Sequence, residues 1–82
     1  MKLEDTIEMM KSDDFKERFK AEYYQVKIRV DKLALMLEEY KSGTLPFEPR
    51  CSYELLFAQL VHMCCYMQSL EKRAEIEEID LN

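Results

Sequence analysis

Glycine occurs once in these 82 residues, proline twice and tryptophan not at all. So few turn-forming residues exclude a sheet with many reversals and leave long helices with one main reversal. No glycine-rich phosphate loop, Ser-His-Asp arrangement or His-Glu-x-x-His pattern is present, so the expected protein is not an enzyme. Nor does any apolar run reach the roughly 18 residues of a membrane span. The opening MKLEDTIEMMK carries acids where a secretory signal carries a continuous apolar segment. The expectation is a protein that stays in the cytoplasm, with Cys51, Cys64 and Cys65 as reduced thiols. A net charge of -5 argues against a generic grip on phosphate backbones. Neither nucleic acid nor membrane is an expected partner.

The residues that are abundant favour helix: Glu, Lys, Leu, Met, Gln and Ala. The glycine and both prolines fall in one loop, Ser42 to Arg50, between two long helical runs. The expected fold is therefore all-α, an antiparallel helical hairpin. Residues 1–12 form an N-terminal appendage and 13–82 the hairpin domain.

In the appendage Leu3, Ile7 and Met10 make one apolar edge of a short helix, too short to hold alone in water. It docks on something or frays, or it continues into the first long helix. Ser12, Asp13 and Asp14 are successive N-cap candidates, and Asp14 with Glu17 has approximate capping-box spacing.

The first long helix should run from about Asp14 to Lys41. Phe15, Phe19, Tyr23, Val26, Val30, Leu33, Leu37 and Tyr40 are its apolar line, and from Phe19 the spacing alternates four and three. That is a heptad seam, made to lie along another helix at a shallow angle. Tyr24, Ile28 and Leu35 form a second apolar line, which suggests a second neighbour. Gly43 suits the left-handed residue that closes a helix, and Pro46 and Pro49 force extended backbone before them. Leu45 and Phe47 either plug the end of the bundle or form a partner-binding knob.

The second long helix should start at Cys51 or Ser52. Tyr53, Leu56, Leu60, Met63, Met67, Leu70 and Ala74 repeat the heptad spacing and can face the first seam antiparallel. Phe57, Val61, Cys64 and Cys65 widen its apolar surface in the first half only. Two helices of about 27 residues make a rod roughly 40 Å long, which leaves more surface wet than a compact fold of the same mass. The expectation is a homo-oligomer, most simply a dimer forming a four-helix bundle.

Few residues suggest chemistry. His62 reads as a buried or half-buried structural histidine. Cys51, His62, Cys64 and Cys65 have poor spacing for zinc, so no metal or other cofactor is expected. Met9, Met10 and Met36 are candidates for exposure among the six methionines, otherwise core filler. Lys27, Arg29, Lys32, Tyr23 and Tyr24, with Lys72 and Arg73, would grip an anionic small molecule if assembly gathered them into a groove.

The stretches Phe15 to Tyr23, Lys32-Leu33, Gly43 to Cys51, Glu54 to Leu56 and Leu70 to Glu77 resemble a family of small phage and prophage proteins. That family, the "related protein" family, takes its name from a crAss-like phage protein. The resemblance covers residues 14–79, and its most specific parts are the loop GTLPFEPRC and the run LEKRAEIE. Members commonly have proline where this chain has Ser52, which puts only the helix cap in question. They often have glycine near position 78, where this chain has Glu78, so the last turn is expected to run on further. The resemblance implies a phage or prophage origin and a bacterial host cell, and it carries no established activity.

The leading expectation is a non-enzymatic phage accessory protein that binds and modulates a host protein, with defence factors among the candidates. Its partner-binding surface would be Leu45, Phe47 and Arg50 of the loop with Tyr24, Ile28 and Leu35 of the outer line. The alternative is an oligomeric sponge that sequesters an anionic signalling nucleotide.

Overall fold

The computed structural model describes all 82 residues. A 3-10 turn, Leu3–Thr6, leads into a single helical turn α1, Ile7–Met10. Two long helices follow, α2 at Phe15–Ser42 and α3 at Tyr53–Glu77, and they pack against each other antiparallel. There are no strands, and the molecule is a rod of 43 × 24 × 19 Å.

The helix ends follow local chemistry. Asp14 caps α2 by accepting from the Lys16 amide at 2.9 Å, and Ser12 accepts in turn from the Asp14 amide at 3.0 Å. This doubled cap separates α1 from α2, so the appendage is not a continuation of the long helix. Ser52 caps α3 by accepting from the Leu55 amide at 3.1 Å, and no proline is needed there. Gly43 closes α2 with φ 78°, its amide donating to Tyr40 and the Thr44 amide to Glu39 at 2.9 Å. That pair of bonds is a Schellman closure.

The end of α3 differs from expectation. The helix does not run on past position 78. Glu78 takes φ 57° and the Ile79 amide reaches back to the Ala74 carbonyl at 2.8 Å, a second Schellman closure without glycine. The reason is apolar. Turning the chain there drops Ile79 onto Phe19, Tyr23, Leu70 and Ala74, and that burial outweighs the strain of a left-handed glutamate.

Only eight residues are buried, and five of them form this one cluster at the end of the hairpin that carries the termini. Toward the loop, Leu37 alone is buried. Both heptad seams face inward as expected, but apart from Leu37 their loop-end members are only half covered. Tyr40, Tyr53 and Phe57 close that end, with ring centroids 5.6 and 6.1 Å apart. Leu45 is half-buried, whereas Phe47 stays 58% exposed and plugs nothing.

The appendage docks on α2. Thr6 is fully buried; its hydroxyl donates to the Leu3 carbonyl at 2.7 Å and accepts from the Gln25 amide group at 2.9 Å. Ala21, one turn before Gln25, is fully covered as well. The C-terminal tail reaches the adjoining face, where the Tyr24 hydroxyl donates to the Leu81 carbonyl at 3.1 Å. Part of the second apolar line on α2 is thus satisfied within the chain.

Glu78 makes no ion pair or side-chain hydrogen bond, so Glu78→Gly removes only the backbone strain. Urea unfolding should show it more stable than the parent by about 1 kcal/mol.

Candidate functional site

Two tyrosine–glutamate bonds tie the long helices together, one on each flank of the seam. On the first flank the Tyr23 hydroxyl donates to Glu71 at 2.8 Å. Tyr23 is buried, and that burial, with the carboxylate beside it, pushes its pKa up to about 12. On the second flank the Tyr66 hydroxyl donates to Glu22. Tyr66 is more exposed; the hydrogen bond to Glu22 raises its pKa, desolvation adds to this, and the Arg73 charge opposes it.

The second flank carries two arginines. Arg73 lies two helical turns beyond Tyr66 on α3 and stacks over the Phe19 ring at 5.0 Å. Arg29 lies two turns beyond Glu22 on α2, on the same side. Neither arginine has a carboxylate within ion-pair distance; the ion pairs are Lys11–Glu8, Lys20–Glu17 and Lys27–Asp31. Because the helices run antiparallel, the two arginines lie on opposite sides of the Tyr66–Glu22 bond, Arg73 toward the termini and Arg29 toward the loop, about 20 Å apart along the axis, so only Arg73 stands with the aromatic rings. Leu55, Ala58, Gln59, His62, Met63 and Tyr66 line a shallow apolar groove of about 350 Å³.

The other expected cations disperse. Lys27 and Tyr24 line a cleft of about 460 Å³ with Ile28, Asp31, Met1, Leu81 and Asn82, but Lys27 is paired to Asp31 at 3.6 Å. Lys32 shares the outer face of α2 with Ile28 and Leu35, and Lys72 lies on the outer face of α3. The cluster foreseen as Tyr23, Tyr24, Lys27, Arg29, Lys32, Lys72 and Arg73 is therefore not one site within a single chain.

The six expected contact residues are likewise separated. Tyr24 and Ile28 lie in the cleft by the termini, half-covered. Leu35, farther along α2, is 56% exposed. Leu45 and Phe47 line a hollow of about 430 Å³ in the loop with Tyr40, Gly43, Pro46, Glu48 and Pro49, and Arg50 is exposed outside it.

His62 is exposed rather than buried, because it lies on the side of α3 away from α2. All three cysteines are free, and no three His, Cys, Asp or Glu side chains are placed to hold a metal ion. Met10 is exposed, while Met9 and Met36 are half-buried. The sequence reading did not single out Tyr66. Its signal was positional: an aromatic on the flank of the α3 seam, level with a carboxylate on α2.

The model of the family described as Sequestin matches residues 13–76, from the α2 cap to the last turn of α3. The chain belongs to the Sequestin family. The match covers nearly the same stretch as the resemblance drawn from the loop and the LEKRAEIE run, but the family's name is Sequestin and nothing found supports the crAss-like-phage naming. No curated protein and no solved structure matches the chain. No helix of this Sequestin-family chain is long and apolar enough to cross a membrane.

The folded chain holds the Tyr23 proton to about pH 12, whereas an unfolded tyrosine loses it near pH 10. The resulting stability is fully present below about pH 10 and is lost as pH rises toward 12. Urea unfolding across that window should fall more steeply for the parent than for Tyr23→Phe, by about 2–3 kcal/mol in total.

Proposed function

We propose that this protein sequesters an anionic signalling nucleotide, acting as a non-enzymatic sponge in the cytoplasm of a phage-infected bacterium. The observation that carries the reading is membership of a family whose name denotes sequestration. The unpaired Arg73 beside the exposed Tyr66 on the second flank supports it, because a guanidinium next to an aromatic ring fits a phosphate together with a base. The binding residues in this reading are Tyr66 and Arg73. Binding removes the signal from solution without a chemical step, and its capacity scales with the number of copies. Blunting a nucleotide-based defence signal is the benefit a phage would draw from it.

One observation favours a second reading, in which the protein binds and modulates a host protein. Phe47 stands 58% exposed at the loop, held between two prolines, which is a poor place for a large apolar ring without a partner.

Native mass spectrometry of protein taken from infected cells separates the two. The nucleotide reading expects a bound small-molecule mass, and calorimetry with a panel of cyclic mono- and dinucleotides and nucleoside diphosphates identifies its class. Arg73→Ala should weaken that binding by about 10- to 100-fold, in keeping with a lost charge-assisted hydrogen bond. A stoichiometric host protein with no bound small molecule, released by Phe47→Ala, would establish the second reading instead.

A further inference from the structure

Two heptad lines run down α3. One is the seam against α2. The other is Leu55, Ala58, His62, Cys65 and Ser69, which alternates three and four in the same way and lies on the opposite side of the helix. Every member of this second line is exposed, and Phe57 and Val61 beside it are exposed as well. From Leu55 to Leu70 the chain has no Asp, Glu, Lys or Arg. A helix that is apolar on opposite sides is a helix meant to be covered on both.

The surface area supplies the size of the missing cover. The chain exposes 6163 Å², about 1,000 Å² more than expected for a compact monomer of 9.9 kDa. One side of a stable protein interface takes about 800 Å².

We propose that the second line of α3 pairs with the same line of a second copy, antiparallel, about a two-fold axis at His62. A heptad line needs a partner of matching spacing, and a second copy of the same line supplies it. The small side chains of Ala58, Cys65 and Ser69 let two such helices approach closely. Electrostatics chooses the direction. Glu71 to Glu78 carries four acids against two bases, Lys72 and Arg73. Parallel pairing would set these acidic ends side by side. Antiparallel pairing places each one at the start of the other copy's α3, where the helix dipole is positive and Glu54 is the one acid of the first turn, so fewer like charges meet. The register follows from the same stretch, since the midpoint of the uncharged run is His62–Met63. This pairing does not rest on the nucleotide reading, because it uses neither arginine of the second flank.

Sedimentation equilibrium at micromolar concentration tests the pairing, and the expected mass is twice 9.9 kDa. Ala58→Arg, at an exposed position, should keep the parent's circular dichroism and weaken the dimer by at least about 100-fold, since it buries an unpaired charge. In a chain with Cys51, Cys64 and Cys65 changed to serine, His62→Cys should form a disulfide-linked dimer on mild oxidation, and Ile76→Cys should not. A monomer at every concentration overturns the proposal. So does a dimer that is indifferent to Ala58→Arg, or one that cross-links through position 76 rather than 62.

Discussion

One helix lying along another covers a single stripe of its partner, and neither long helix here confines its apolar side chains to one stripe. That mismatch governs how the chain is arranged. α2 resolves it at the end that carries the termini: α3 takes the seam, the N-terminal turn covers Ala21, and the C-terminal tail reaches Tyr24. The core gathers there because several segments converge on it, with Phe19, Tyr23, Leu70, Ala74 and Ile79 in mutual contact. The other end has only two helices and a loop, so its seam is half-covered and its outward apolar groups stay exposed.

Specific polar bonds fix how the two helices are rotated and aligned. Tyr23 with Glu71 and Tyr66 with Glu22 straddle the seam, so neither helix rolls or slides by a turn without losing one of them. Each tyrosine packs its ring against apolar neighbours and sends its hydroxyl to a carboxylate on the other helix. Arg73 over the Phe19 ring adds a contact on the second flank and covers an edge of the core. The charged last third of α3 is thus a clasp as well as a solvated surface.

The loop-end two-thirds of α3 is nearly uncharged and exposed on the side away from α2. The family's span, residues 13–76, takes in this helix and its partner but not the terminal segments that complete the core.

The hairpin was legible in the sequence because its causes are local. One glycine, two prolines, two heptad-spaced runs and the Asp14 and Ser52 caps each act within a few residues of themselves. The sequence also showed that the first half of α3 carries extra apolar groups at Phe57, Val61, Cys64 and Cys65, but not the outer line through Leu55, Ala58 and His62, because His62 read as a buried or half-buried residue. Tertiary structure alone decided what the long-range contacts control. It brought Ile79 back onto Phe19, which is why Glu78 accepts a left-handed turn instead of extending the helix. It set Arg29 and Arg73 on opposite sides of the Tyr66–Glu22 bond, because the two helices run antiparallel. It set Tyr66 beside Glu22 from 44 residues away. Local patterns name the stripes on a helix, but which stripe meets which is settled only when the chain closes on itself.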